Sequence, residues 1–259
     1  MNLQIFQIDA FTDKVFAGNP AAVCPLDQWL SDDQMQKIAL ENNLAETAFF
    51  VADGDAYALR WFTPAAEVDL CGHATLATAY LLFSRLAPEK TRVAFDTRSG
   101  RLSVTLDGDL LVMDFPAMPP QRMDTPPPFA AALGGSPREF WTQDDFLVVY
   151  ETETEIRALK PDMAGLMDIG GRGVIATAPG TDCDFVSRFF APAIGIPEDP
   201  VTGSAHCILA PYWSERLGKS DLRARQVSAR GGELFCRNEG DRVKIAGRAA
   251  LYMVGEIYL

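Results

Sequence analysis

The sequence predicts an α+β fold of two pseudo-symmetric lobes, each a mostly antiparallel sheet wrapped around one central helix. The first observation is an internal repeat, because residues 60–74 read RWFTPAAEVDLCGHA and residues 188–205 read RFFAPAIGIPEDPVTGSA. An arginine, aromatic residues, a proline, a glutamate and a glycine recur in the same order. Glu67 and Glu198 are 131 positions apart, about half of the 259-residue chain. Such a period indicates a duplicated unit.

The second observation is one long apolar helix in each copy. Residues 74–86 and 205–217 are apolar on all sides, which is typical of a helix buried inside a wrapped sheet. Strands are expected to precede these helices. In the first copy, alternating apolar residues predict strands over 3–11 and 21–25, and a helical pattern follows over 31–42.

The third observation is a proline-rich segment between the copies. Six of the fourteen residues from Pro116 to Phe129 are proline, which excludes a helix interior or a central strand. We therefore expect an N-terminal lobe over residues 1–117 and a C-terminal lobe over residues 118–259, with a cleft between them.

Charge and composition exclude several classes of partner. A net charge of -12 and a pI near 4.6 disfavour nucleic acid and anionic membranes, since both require a field of lysine and arginine. The N-terminal segment carries Asp9 and Asp13 where a secretory signal would be basic and then apolar, and no later run approaches the roughly 20 apolar residues of a membrane span. We therefore expect a cytoplasmic protein that binds neither nucleic acid nor membrane.

The sequence motifs considered for metal and cofactor binding lack the spacing or the flanking secondary structure that such sites require. The five cysteines are widely spaced and form no CxxC pair, so free thiols are expected. The segment from Gly171 to Ala176 matches GxGxxA but leads into a strand, whereas a dinucleotide site needs it to lead out of one into a helix. No spacing of histidine, cysteine and acidic residues suggests a catalytic metal. The sequence therefore predicts neither a cofactor nor a metal.

Two helix starts are candidate binding sites for a carboxylate. Gly72 lies in the turn that leads into one predicted central helix, and Thr202, Gly203 and Ser204 lie in the turn that leads into the other. The free first-turn N–H groups and the helix dipole of such a start bind an anion without a basic patch. The alternative interpretation is that each is only the capped start of a helix. The chain's two histidines, His73 and His206, both lie at these starts, as site residues or as structural hydrogen-bonding residues.

Acidic residues are the candidate proton carriers. Glu46 interrupts the small and apolar segment LAETAFF, and a carboxylate removed from water in this way suits a group that takes and returns a proton. Asp199 precedes the second helix start, where it could form a paired acidic site with Glu46 or only favour the helix dipole. Cys71, at the first helix start, is an alternative base as a thiolate. Its counterpart is Thr202, so a two-thiol mechanism lacks its second member, and Cys71 is expected to pack or cap.

The chain resembles the PhzF-like family of phenazine biosynthesis, which shares the two-lobed fold of diaminopimelate epimerase. The segments that carry this resemblance are DAFT from Asp9, GNP from Gly18, NLAETAF from Asn43, FTP from Phe62, Glu67 with CGHAT from Cys71, and EDPVTGSA from Glu198. The resemblance implies a homodimeric isomerase with its site in the cleft and with no cofactor or metal.

The resemblance also implies roles for several residues. In the family member that gives the name, the substrate is trans-2,3-dihydro-3-hydroxyanthranilate, and the glutamate that matches Glu46 moves a proton from one ring carbon to another. Residues that match His73, Asp199, Gly203 and Ser204 line that pocket.

Three functions follow as hypotheses. The first is a cofactor-independent isomerase that shifts a proton on a small carboxylate, with Glu46 as base and acid. The second is an amino-acid racemase or epimerase of the diaminopimelate type, which would depend on Cys71. The third is a non-catalytic protein that binds a small acid.

Overall fold

The computed structural model describes residues 2–259, which divide into two compact units. The first comprises residues 2–114 and Ala246–Leu259, and the second comprises Phe115–Ile245. Among the helices of the described residues, none has the length and apolar character needed to cross a membrane.

Across the described residues, strands outnumber helices. The strands are β1 (Asn2–Ala10), β2 (Asn19–Leu26), β3 (Glu46–Asp53), β4 (Ala56–Phe62), β5 (Glu67–Val68), β6 (Arg92–Thr97), β7 (Gly100–Asp107), β8 (Leu110–Pro116), β9 (Gln121–Arg122), β10 (Glu139–Thr142), β11 (Phe146–Val149), β12 (Val174–Pro179), β13 (Phe185–Ala191), β14 (Ile196–Asp199), β15 (Asp221–Gln226), β16 (Gly232–Asn238), β17 (Arg242–Gly247) and β18 (Ala249–Tyr258). The α-helices are α1 (Asp32–Asn42), α2 (Gly72–Leu81), α3 (Phe129–Leu133), α4 (Glu153–Ala158), α5 (Met163–Ile169) and α6 (Gly203–Leu217).

The two units repeat one order of strand pairings. In the first, β1–β2 is antiparallel, β2–β3 parallel, β3–β4 and β4–β5 antiparallel, β4–β6 parallel and β6–β7 antiparallel. In the second, β10–β11, β11–β12, β12–β13, β13–β14, β13–β15 and β15–β16 follow the same order of directions. The predicted pair of similar, mostly antiparallel sheets is confirmed.

Each unit has one helix that is buried on nearly all sides. Eight of the ten residues of α2 are buried, and in α6 the buried stretch from Ala205 to Trp213 is continuous. Both helices begin at a glycine, two residues before the predicted start. After α2 the chain continues as a π-helical turn over Leu82–Leu86, which completes the predicted helical stretch.

The repeated arginine and glutamate form the same ion pair in both units. Arg60 on β4 donates two hydrogen bonds, of 2.7 and 2.8 Å, to the Glu67 carboxylate on β5. Arg188 on β13 donates two, of 2.7 and 2.9 Å, to Glu198 on β14. Each pair joins a long strand to the short strand that leads into the central helix. The sequence repeat therefore marks a contact that holds the fold.

Replacing Arg188 by methionine is expected to lower the free energy of unfolding by about 2 kcal/mol. The arginine also donates to the carbonyl oxygens of Ile156 and Leu159, so its loss removes the guanidinium from a largely buried carboxylate and one donor from each of two carbonyls. Urea denaturation measures the change. The control is Arg157→Met, which removes an exposed ion pair with Glu153 and should cost less than ~1 kcal/mol. Equal losses in the two variants would contradict the structural role of the repeated pair.

The C-terminal strand differs from the expected domain organisation. Residues 246–259 belong to the first unit, whereas the sequence predicts a C-terminal lobe over residues 118–259. The physical reason is β18, which pairs antiparallel with β1 along its whole length, from Asn2 opposite Tyr258 to Ala10 opposite Ala249. The first unit therefore consists of both ends of the chain.

Candidate active site

Glu46 is the first residue of β3, and helix α1 places it there. Ser31 caps α1 in a reciprocal capping box with Gln34, and Asn43 ends the helix in the left-handed conformation with φ of 48°. The chain then enters β3, where Glu46 lies opposite Ala21 of the parallel neighbour β2. Only 9% of Glu46 is exposed. The first unit therefore contains a poorly hydrated carboxylate at the position that the sequence predicts.

His73, in the first turn of α2, faces this carboxylate. Its Nε2 lies 3.0 Å from Glu46 Oε2, and both side chains are buried. The two atoms are at ion-pair distance but not in the alignment of a hydrogen bond, and among residues 2–259 Glu46 Oε2 has no hydrogen-bond partner. A buried carboxylate oxygen with unused acceptor capacity can receive a proton.

Asn19 holds the other side of the His73 ring. The Asn19 Nδ2 atom lies 3.2 Å from His73 Nδ1. In the neutral imidazole the amide donates to Nδ1, so the ring proton is on Nε2, the nitrogen at ion-pair distance from Glu46. In the imidazolium both nitrogens carry protons, and the amide oxygen of Asn19 must turn toward Nδ1. The asparagine therefore orients the ring in either charge state.

Gly18 allows Asn19 to reach this position. It has φ of +65°, and a Cβ atom there would lie 2.1 Å from the carbonyl oxygen of Ala10. Only glycine fits so close an approach in this conformation. The sequence motif GNP carries the family resemblance, but the pattern alone gives no sign that its asparagine contacts His73.

Cys71 and His73 each shift the pKa of the other. Burial, the largest influence on His73, lowers the pKa of the imidazole, but the neighbouring Cys71 and Glu46 outweigh it and raise the pKa well above 6.5. Burial, reinforced by Glu46 and opposed by His73, raises the pKa of the Cys71 thiol. Cys71 Sγ lies 3.5 Å from His73 Nδ1 and 4.0 Å from Nε2. A thiol that keeps its proton is a poor base, which disfavours the role of Cys71 in the racemase hypothesis.

Both central helices start without a side-chain cap. Neither Cys71 before α2 nor Thr202 before α6 makes a capping hydrogen bond from its side chain. The first-turn N–H groups at Gly72 and at Gly203 have no intrahelical acceptor, so a bound anion is a suitable partner for them. This matches the prediction of amide-rich starts, each in its own unit.

In the second unit, Gln226 organises the residues before α6. Its Nε2 donates to the carbonyl oxygen of Asp199 at 2.8 Å, and its Oε1 accepts from the backbone nitrogen of Thr202 at 2.9 Å. The Thr202 hydroxyl donates to the Asp199 carboxylate at 2.5 Å. Gln226 was not predicted, because its position on β15 carries no local signal.

Arg172 was also missed, although its segment was considered as a dinucleotide motif. Its guanidinium donates to Asp145 and lies 3.4 Å from Ser204 Oγ, in the first turn of α6. Asp145 is buried, which raises the pKa of its carboxyl against the opposing charge of Arg172. A partly exposed cation beside this helix start adds to the attraction for an anion in a protein of net negative charge.

His206 differs from His73 in its pKa and in its hydrogen-bond partner. It is fully buried, and burial lowers its pKa to about 4 against the opposing hydrogen bond with Thr202. Its Nδ1 donates to the Thr202 carbonyl oxygen at 2.8 Å. The structure thus favours the structural interpretation of His206.

Comparison with known proteins identifies the family. The family model described as phenazine biosynthesis-like protein matches residues 8–255. A PhzF family protein from Enterococcus faecalis, solved by crystallography, is 47% identical with a TM-score of 0.98, and the match covers 100% of both chains. The chain belongs to the phenazine biosynthesis-like family. The resemblance seen in the sequence is confirmed.

Two relatives in Pseudomonas aeruginosa bear on the enzyme class and on the fold. An uncharacterized isomerase of Pseudomonas aeruginosa is 56% identical, with 100% of each chain covered. The predicted isomerase class is confirmed by such relatives. A predicted epimerase from the same organism, 20% identical over 99% of both chains with a TM-score of 0.73, shows the fold alone. The predicted epimerase-like fold is confirmed.

The roles of individual residues in this family member stay predictions. Glu46, His73 and Gly72 come together in the first unit, and Asp199, Thr202, Gly203 and Ser204 come together in the second. That the two groups serve one substrate also stays a prediction.

Proposed function

We propose that this chain is a cofactor-independent isomerase that shifts a proton on a small carboxylate related to dihydro-hydroxyanthranilate. Glu46 acts first as the base and then as the acid. The observation that carries this proposal is the buried Glu46 carboxylate, whose Oε2 faces His73 and has no hydrogen-bond partner among the described residues. A general base needs such a desolvated acceptor within reach of a carbon-bound proton.

The reaction requires one carboxylate to perform two steps. Glu46 removes a proton from one carbon of the substrate, which leaves a delocalised anion, and then returns the proton to another carbon. Because the same oxygen atoms give and take, both carbons present the same face to Glu46. His73 keeps the carboxylate oriented through the 3.0 Å contact, and Asn19 keeps His73 oriented.

The helix starts supply the donors. Backbone N–H groups at Gly72, Gly203 and Ser204 are assigned to the substrate carboxylate and to the charge that develops in the transition state. Thr202 is assigned a positioning role before α6, because its hydroxyl donates to Asp199 and accepts from Gln226 Nε2. Asp199, fixed by Thr202, is assigned to the polar groups of the substrate. The family resemblance also supports a homodimer, which sedimentation would detect as about twice the 28.3 kDa chain mass.

Deuterium incorporation tests the function directly. The enzyme is incubated in heavy water with trans-2,3-dihydro-3-hydroxyanthranilate and with a panel of other small aromatic and alicyclic carboxylates. Proton NMR of the products is expected to show an isomerised substrate with solvent deuterium at carbon. A complete absence of isomerisation and of carbon exchange across the panel would contradict the proposal. Ligands that raise the melting temperature without turnover would instead support the binding-protein hypothesis.

Cys71 favours one second candidate, a racemase or epimerase. The thiol lies at the start of α2 and near His73, which is the position of a thiolate base. Its burial and the threonine at the matching helix start argue against this reaction. The racemase hypothesis predicts that Cys71→Ser abolishes activity, whereas the proton-shift proposal predicts that Cys71→Ser keeps most of it.

A further inference from the structure

Arg172, in the second unit, has hydrogen-bond donors that the protein does not use. Its Nη2 atom donates to Asp145 and lies 3.4 Å from Ser204 Oγ, in the first turn of α6. Among residues 2–259, the Nε and Nη1 atoms of this guanidinium have no acceptor. The side chain is 41% exposed, so a molecule from solvent can reach it. A guanidinium with three unused N–H groups is a suitable partner for a planar carboxylate.

Asp145 and Phe189 hold this guanidinium in place. The Asp145 side chain is completely buried, and its second oxygen, Oδ1, has no hydrogen-bond partner among the described residues. Arg172 offsets this buried charge, and moving it away would leave the carboxylate isolated. The guanidinium also lies over the Phe189 ring, 5.7 Å from its centroid. The ion pair is neutral as a whole, but its positive member is the exposed one.

The strand pairings place Arg172 at the position in the second unit that matches the neighbourhood of Glu46 in the first. The recurring arginine lies opposite Phe49 of β3 in the first unit and opposite Ala176 of β12 in the second. Three residues before these two partners are Glu46 and Gly173. Gly173 therefore occupies the place of Glu46 in the repeated unit, and Arg172 directly precedes it.

The residues at the two helix starts also correspond. His73 and Ser204 each follow the first glycine of a central helix. Gly173 has no side chain, and a Cβ atom there would lie 3.2 Å from Asp145 Oδ1 and 2.4 Å from Phe189 Cζ. Where the first unit has a carboxylate facing a histidine, the second therefore has a carboxylate paired with an exposed cation. Such a pair suits the binding of an anion rather than the transfer of a proton.

We propose that Arg172 binds the substrate carboxylate through its Nε and Nη1 N–H groups, beside the backbone N–H groups of Gly203 and Ser204. This inference rests on the proposed function, which supplies a small carboxylate as the ligand. It makes Arg172 a specificity-determining residue, because a guanidinium distinguishes a carboxylate from a carboxamide of the same shape. The carboxamide is uncharged and carries an NH2 group in place of one acceptor oxygen.

Calorimetric titration with matched ligands tests this role without turnover. The first probes are 3-hydroxyanthranilate, an aromatic relative of the proposed substrate that has no proton on a saturated ring carbon, and 3-hydroxyanthranilamide, its carboxamide. Benzoate with benzamide, and cyclohexanecarboxylate with its carboxamide, form two further pairs. Wild type is expected to bind at least one carboxylate about 10-fold or more tightly than its carboxamide, the usual effect of a charge-assisted hydrogen bond. A wild type without this preference in any pair would overturn the proposal.

Variants assign the preference to Arg172. Arg172→Gln is expected to reduce it to less than about threefold, and Arg172→Lys to an intermediate value. Because Arg172→Gln leaves the Asp145 carboxylate unpaired, the double variant Asp145→Asn with Arg172→Gln removes both charges and should show the same loss with an unchanged circular dichroism spectrum. The matched control is Arg138→Gln, which removes an exposed ion pair with Glu151 in the same unit and should keep the preference of wild type.

The outcomes separate this inference from the proposed function. A preference that survives Arg172→Gln or the double variant would overturn the role of Arg172, and so would an equal loss in Arg138→Gln. Since the titration needs no reaction, a protein that shows the Arg172-dependent preference but isomerises nothing would count against the proposed function alone. Where isomerisation is measured, Arg172→Lys should raise KM more than it lowers kcat, because the guanidinium binds the carboxylate in both the ground state and the transition state.

Discussion

Replacing Glu46 by glutamine is expected to lower the rate of the proton shift by about 10²- to 10⁴-fold, the usual contribution of a general acid–base group. The amide has the size of the carboxylate, so the packing around β3 and the contact with His73 are kept. It cannot accept a carbon-bound proton, and both steps of the reaction fail. The measurement is kcat for isomerisation and for deuterium incorporation in heavy water.

Two further observations make the result of Glu46→Gln specific. The control is Glu41→Gln on the exposed face of α1, five residues earlier, which should retain wild-type turnover. The substrate carboxylate is assigned to backbone donors, so KM should change far less than kcat. Turnover of Glu46→Gln within threefold of wild type would remove Glu46 from the mechanism, and an equal loss in Glu41→Gln would indicate general damage to the fold.

The features of the fold that could be predicted from the sequence are mainly those that recur in both units. The recurring arginine and glutamate form the Arg60–Glu67 and Arg188–Glu198 pairs, and the recurring glycines begin α2 and α6. A residue that holds the fold has the same contact to make in both units, so it leaves a repeat in the sequence. Local patterns also located α1, whose cap Ser31 and last residue Asn42 match the predicted bounds.

The unpredicted part depends on contacts between distant positions. The pairing of β18 with β1 joins the two ends of the chain, and alternation of apolar residues identifies a strand without naming its partner. Gln226 reaches Asp199 from 27 positions away, and Arg172 reaches Asp145 by the same kind of long-range contact. Each of these contacts forms only when the chain folds, and the sequence around one residue gives no indication of its partner.

The candidate site shows the same division. Glu46 was predictable because a carboxylate within an apolar segment is conspicuous, and His73 because it adjoins a helix start. Their contact at 3.0 Å, and the proximity of Cys71, depend on how β3 and α2 pack.

The second large effect is expected in the stability of the protein toward acid, through His206. Burial lowers the pKa of this imidazole to about 4 in the folded protein, whereas the unfolded chain takes up the proton near the ordinary value of 6.5. Above pH 6.5 both states are neutral and the full stability is present. As the pH falls from 6.5 to about 4, only the unfolded state binds a proton, so the free energy of unfolding drops by up to roughly 3 kcal/mol from this residue.

Denaturant unfolding at pH 7.5 and at pH 4 measures this loss against a variant without the titrating group. His206→Gln keeps an amide donor for the Thr202 carbonyl but cannot be protonated in this range. Other groups, including His73 and the carboxylates, remain in both proteins, so the difference between the two pH dependences isolates His206. We expect wild type to lose about 3 kcal/mol more than the variant over this interval. Parallel pH dependences would mean that His206 takes up a proton in the folded protein, through water entry or local opening of α6. The neutral imidazole would then not be needed for the hydrogen bond to the Thr202 carbonyl.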